Sequence, residues 1–209
     1  MGIAKVYFKR RKVETQEACT LRAAAMEGTL DAVNPELLTA ENLLTTDHVG
    51  CTALHWAAQF GHLDQVPRKL LTQENVMIRA NNGETVLYKS ANIGALHQVP
   101  VDLLTAENLL AGDERSMTPL HEAACGYLDQ IPAGVLTAEN LLAKNNYDET
   151  PLYFVVKHGD LNQVPLGLKF PDSVRELVGD EWWKQNQTIL MDRAGLDESA
   201  EESVGVELF

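Results

Sequence analysis

Five glycines fall at almost equal intervals along this chain, Gly28, Gly61, Gly94, Gly126 and Gly159, with spacings of 33, 33, 32 and 33 residues. The same first phrase leads up to each of the last four: Thr52-Ala-Leu-His-Trp-Ala-Ala, Thr85-Val-Leu-Tyr-Lys-Ser-Ala, Thr118-Pro-Leu-His-Glu-Ala-Ala and Thr150-Pro-Leu-Tyr-Phe-Val-Val. A worn copy, Thr20-Leu-Arg-Ala-Ala-Ala, precedes Gly28. A second phrase follows the glycines, as in Leu63-Asp-Gln-Val-Pro67, Leu96-His-Gln-Val-Pro100, Leu128-Asp-Gln-Ile-Pro132 and Leu161-Asn-Gln-Val-Pro165. A third closes the unit, Leu38-Thr-Ala-Glu-Asn-Leu-Leu44, with counterparts beginning at Leu71, Leu104 and Leu136. Three phrases held in one register mark a chain assembled from four to five copies of a single unit.

The unit reads as helical. Leu54, Ala57 and Ala58 stand at i, i+3 and i+4, which places them on one helical face. Alanines on that face let neighbouring helices approach closely, and the glycine that follows supplies the left-handed conformation that ends a helix. A unit this short cannot bury its apolar face alone, so it must stack on copies of itself and form a one-dimensional array.

Thr52, Leu54, His55, Ala57, Ala58, Gly61 and His62 form a stretch that resembles the ankyrin repeat, a unit of the same period carrying Thr-Pro-Leu-His-x-Ala-Ala followed by Gly-His. The resemblance covers roughly residues 18–167. It implies an all-α, ankyrin-type helical repeat solenoid with terminal caps, each unit being a turn followed by two antiparallel helices, and an interaction scaffold without chemistry of its own. It also implies a structural role for His55 and His121, whose imidazoles should bond to the threonine three residues before and to the backbone of a neighbouring turn. Tyr88 and Tyr153 occupy the same position in the other copies.

One departure from the family pattern is the proline at 67, 100, 132 and 165. Inside a helix it would cost about 3 kcal/mol, by removing a backbone bond and clashing with the preceding turn. The expectation is therefore a single turn over Leu63 to Val66, then a short helix with Pro67 near its start. Thr39, Thr72, Thr105 and Thr137 predict a further short helix in each unit, with the threonine as its cap and the nearby glutamate at its positive end. One residue is missing before Gly126, which predicts a shortened first helix in that copy.

The copies are expected at 18–50, 51–83, 84–116, 117–148 and, in part, 149–167. A basic arm (1–17) precedes them, and a helical cap (168–195) and an acidic tail (196–209) follow. In the cap, Ser173 and Glu176 have the spacing of a capping box. A polar outer face is expected of the first copy, through Arg22, Glu27 and Thr29.

Charge narrows the range of functions. The net charge is −13, and the acidic excess lies in the repeats and the C-terminal segment, while residues 1–19 are basic. Such a field repels phosphate backbones and anionic lipid, so neither nucleic acid nor membrane is expected as a partner. No long apolar run and no secretory segment is present, which gives a cytoplasmic expectation. Cys19, Cys51 and Cys125 lack the spacing of a disulfide framework or a zinc site and read as reduced, mostly core residues. No cofactor, metal or catalytic residue is expected.

The expected function is binding of another protein by a monomeric, non-enzymatic module. Positions that face out from the first helices differ between copies while the core positions repeat. They give the candidate partner-binding set Trp56, Phe60, Lys89, Ile93, Glu122, Phe154 and His158, with Tyr147 from a turn. Trp56, Phe60 and Phe154 are the candidate aromatic anchors, although Trp56 and Phe154 could instead pad the contact between repeats. Two alternatives stand beside this one. The chain could be an acidic inhibitor or immunity-type protein that blocks a basic partner such as a nuclease, or a regulatory part of an enzyme with its chemistry around Asp180, Glu181, Trp182 and Trp183.

Overall fold

In the computed structural model of the chain, residues 15–165 and Leu168 are described. The expected cap beyond Leu168, the acidic tail, and the basic arm up to residue 14 lie outside them. The described residues are all-α, and their only strand-like pairing is an isolated bridge between Arg79 and Thr85. They fall into two compact units that divide between Leu103 and Leu104.

The first phrases form helices α1 (Gln16–Glu27), α3 (Ala53–Phe60), α5 (Val86–Asn92), α7 (Pro119–Ala123) and α9 (Pro151–His158). Each opens on a threonine or its equivalent, from Thr15 to Thr150, whose hydroxyl accepts a bond from the backbone N–H three residues on. The third phrases form one-turn helices α2 (Ala40–Leu43), α4 (Gln73–Val76), α6 (Ala106–Leu109) and α8 (Ala138–Leu141). The expected capping is present there. Thr39, Thr72, Thr105 and Thr137 accept from the N–H of Asn42, Asn75, Asn108 and Asn140, at 3.2 to 3.3 Å. The side chains of Asn42, Asn75 and Asn140 in turn donate to a carbonyl five residues back. The phrase is thus a self-contained cap, which explains why both Thr and Asn recur in it.

The second phrase follows expectation, with the helix of the tighter type. Leu63–Gln65 is a single 3-10 turn, and Arg68–Leu70 is a short 3-10 helix with Pro67 as its cap. With no N–H on Pro67 and Val66 extended, the chain is re-aimed after a single turn.

Packing runs from copy to copy inside each unit. In the first, α1 packs on α3 and α3 on α5; in the second, α7 packs on α9. Leu21, Leu54 and Leu87, and likewise Leu120 and Leu152, are fully buried, with Ala25, Ala58 and Ala91 filling the close approaches. The missing residue before Gly126 shortens α7 to 5 residues, against 8 in α3.

Gly61 ends α3 at φ 76°, and the bond from His62 N–H to Ala57 C=O completes a left-handed cap. The expectation of the same conformation fails at Gly159, where φ is −98°. Glycine is required there for space, since a β-carbon would lie 2.3 Å from the carbonyl oxygen of Ala124.

The recurrent glutamine of the second phrase is an inter-repeat clamp. Gln65 donates to the carbonyl of Gly28 and accepts from the N–H of Leu30; Gln98 does the same to Gly61 and Leu63, and Gln163 to Gly126 and Leu128. Both ends of one amide are committed to the glycine turn of the preceding copy. In the first copy the same position is Ala32, and no earlier glycine turn stands before it among the described residues. Gln98→Ala leaves a donor and an acceptor without partners and is expected to cost about 2 kcal/mol. Urea denaturation checks this, with Glu74→Gln on the exposed face as a control expected to shift stability by less than about 0.5 kcal/mol.

Candidate interaction surface

The candidate residues divide between the units. In the first, Trp56 and Phe60 lie one helical turn apart on α3, with ring centroids 6.3 Å apart and planes at 24°. Phe60 is 46% exposed, while Trp56 is half-buried and donates its indole N–H to Asp47 Oδ2 at 3.0 Å. Lys89 on α5 does not project freely: it pairs with Glu84, and both side chains are mostly covered. Ile93 is half-buried, its Cδ1 lying close to Gly61.

In the second unit, Phe154 is the centre of an aromatic group. Its ring is T-shaped to those of His121 and Tyr153, at centroid distances of 5.9 and 5.7 Å, and its centroid lies 6.5 Å from that of His158. His158 is exposed and Glu122 half-buried. Tyr147 stands apart from them on its turn and is 62% exposed.

The turns that carry these residues are held by side chains whose roles the repeats did not announce. Asp47, Asp113 and Asn145 each accept from the backbone N–H groups two and four residues on. Asn81 docks on the preceding turn, donating its backbone N–H to Val49 C=O and its side chain to His48 C=O. Asn146 repeats this on Arg115 and Glu114. Several turn residues that could have faced a partner are therefore already committed to the fold. Val49, 41% exposed in the turn between Asp47 and Cys51, is an apolar surface residue that no repeated phrase marked.

Arg22 corrects an expectation. Aligned with His55 in the repeat, it turns inward instead of covering an outer face, and it pairs with Asp47 at 3.8 Å with a side chain only 14% exposed. Glu27 and Thr29 are exposed, as expected of that copy.

His55 and His121 sit where the family resemblance places them. Nδ1 of His55 faces the N–H and hydroxyl of Thr52, and Nε2 meets the carbonyl of Glu84 at 3.3 Å; His121 repeats this with Thr118 and Glu149. Burial lowers the His55 pKa from 6.5 to about 4, and burial also pushes that of His121 down. Both rings are neutral structural links at neutral pH. Cys51 is buried and Cys125 half-buried, and burial raises both thiols, Cys51 to about 11, further from a reactive thiolate. Cys19 is exposed, contrary to the core role expected of most of the cysteines. Among the described residues no group of three His, Cys, Asp or Glu side chains is placed to hold a metal ion, and no helix is long and apolar enough to cross a membrane.

A family model for ankyrin repeats in three copies matches residues 21–98. These residues are ankyrin repeats. The match runs from the buried Leu21 of α1 to the clamp residue Gln98, and the same phrases continue beyond it through α9. No curated protein matches the chain. Ankyrin repeats are in general protein–protein interaction modules and typically non-catalytic, and the buried Thr–His links of this chain serve that scaffold.

The histidines give a pH dependence with a definite sign. A base whose folded pKa lies below its unfolded value is protonated first in the unfolded chain, so stability falls as pH drops from about 6.5 towards 4. For His55 the loss across that window is on the order of 3 kcal/mol. Urea midpoints between pH 7 and pH 5 should fall in the wild type and fall less in the His55→Tyr/His121→Tyr variant, which installs the residue used at Tyr88 and Tyr153.

Proposed function

We propose that the chain binds another protein across the first-helix and turn surfaces, through Phe60 and Trp56 in the first unit and Tyr147, Phe154 and His158 in the second. Lys89, Ile93 and Glu122 flank these anchors. The observation that supports this reading is the exposure of Phe60 and Tyr147, the two aromatic side chains among the exposed large apolar residues, at 46% and 62%. Aromatic side chains at such positions supply contact area at low entropic cost, and a few of them dominate a typical interface.

Phe60→Ala and Tyr147→Ala remove surface and not core. Each is expected to leave the melting temperature within about 2 °C of wild type, the scale of surface changes. Each is also expected to reduce at least tenfold the retention of a partner captured from native lysate, the effect of losing an interface anchor. Undiminished retention by both variants would overturn the assignment of this surface.

A second reading rests on a different face. The glutamates that open the third-phrase helices, Glu41, Glu74, Glu107 and Glu139, are all exposed, and the net charge is −13. These charges suit an inhibitor or immunity-type protein that blocks a basic partner. Association should then weaken steeply with salt, and Glu74→Gln/Glu107→Gln/Glu139→Gln should slow it. A complex whose association rate is unchanged between 50 and 500 mM salt, on the order of one decade in ionic strength, removes this reading.

A further inference from the structure

Asp47 carries more side-chain bonds than a turn needs. Oδ1 accepts from the N–H of Val49 and of Cys51, at 3.0 and 2.8 Å, and this alone closes the turn. Oδ2 is directed elsewhere, to the Trp56 indole N–H at 3.0 Å and the Arg22 guanidinium at 3.8 Å, in a side chain only 3% exposed. We propose that Asp47 is the positioning residue of the Trp56–Phe60 surface. With Arg22 as its counter-ion, it fixes the indole so that a partner meets the ring of Trp56 beside that of Phe60, while the indole N–H stays committed to the fold. The proposal rests on the reading of that surface as the binding face.

The repeats themselves separate the two uses of Asp47. The equivalent turn residues are Ala80, Asp113 and Asn145, and the side chains nine positions further on are Lys89, Glu122 and Phe154. Asn145 closes its turn with the same pair of bonds, to the N–H of Tyr147 and of Glu149, so a carboxylate is not required for the turn. Ala80 has no side-chain acceptor, and there Lys89 pairs with Glu84 instead. Among the bonds described, it is in the copy with a tryptophan nine residues on that the carboxylate of the turn residue itself meets that side chain, since Lys89 is paired with Glu84 four residues after Ala80. The second oxygen of Asp47 is thus matched to Trp56 and not to the repeat. A fixed anchor costs a partner less ordering entropy on binding than a rotating one.

Asp47→Asn tests this because it keeps the turn acceptor and places an amide donor where the indole and guanidinium need an acceptor. The measurement is made on the full chain labelled with 15N, with the Trp56 indole signal identified by its absence in Trp56→Phe, since Trp182 and Trp183 supply the other two. In the wild type the Trp56 indole N–H should exchange with water at least tenfold more slowly than a free indole, as for a bond to a charged acceptor. In Asp47→Asn that protection should be lost and the NOE between the Trp56 and Phe60 rings should weaken, while the amide signals of Val49 and Cys51 persist. Free-indole exchange in the wild type, or unchanged exchange and NOE in the variant, overturns the proposal. Neither signal involves a partner, whereas Phe60→Ala tests the binding face through a partner, so the two can fail separately.

Discussion

The helices of this chain are too short to stand alone. The first-phrase helices run from 5 to 12 residues and the third-phrase helices have 4 each, lengths at which an isolated helix in water is marginal at best. Their stability comes from stacking, in which the leucine and alanine faces of successive copies bury one another, and that stacking has to be held in register. The glutamine clamp supplies the register. The amide of Gln65, of Gln98 and of Gln163 each closes both the carbonyl and an N–H of the preceding glycine turn, so a copy displaced by even one residue would lose both bonds. The Thr–His links reinforce it from the other end of the repeat, joining the start of a first helix to the backbone of the next turn.

The parts of the fold legible in the sequence are those in which each residue acts on near neighbours. Leu54, Ala57 and Ala58 declare a helical face by spacing alone, Thr72 declares a cap by its position before a helix, and the missing residue before Gly126 foretells a short α7. Gly159 escaped such reasoning because its need for glycine comes from the Ala124 carbonyl, 35 residues away, and not from its own backbone angles. At Arg68–Leu70 the proline spacing foretold a short helix, and not that it would be of the tighter 3-10 type.

The candidate surface was legible in outline and not in its chemistry. Sequence variation among equivalent positions picked out Phe60 and Tyr147, and both are exposed. It could not show that Lys89 is engaged by Glu84 or that the Trp56 N–H is taken by Asp47, because those bonds join positions that carry unrelated residues in the other copies. Arg22 is the clearest instance. It occupies the histidine position of a worn copy, and its worth as a buried cation depends on a carboxylate 25 residues later, which no periodicity records.

These pairings also bear on where charge can act in recognition. A buried ion pair seldom adds much net stability over an apolar substitute, but removing one partner leaves the other charge uncompensated. Arg22 with Asp47 and Lys89 with Glu84 neutralise one another around the first-helix positions of the first unit, while Glu74, Glu107 and Glu139 of the third-phrase helices are exposed. On the proposed readings, long-range attraction of a partner by the acidic chain and short-range packing against the aromatic rings would fall to different residues. A substitution such as Glu74→Gln can alter the first without touching the second. Independent adjustment of this kind is open to a repeat scaffold because its core positions recur, whereas its surface positions, one per copy, are each free to differ.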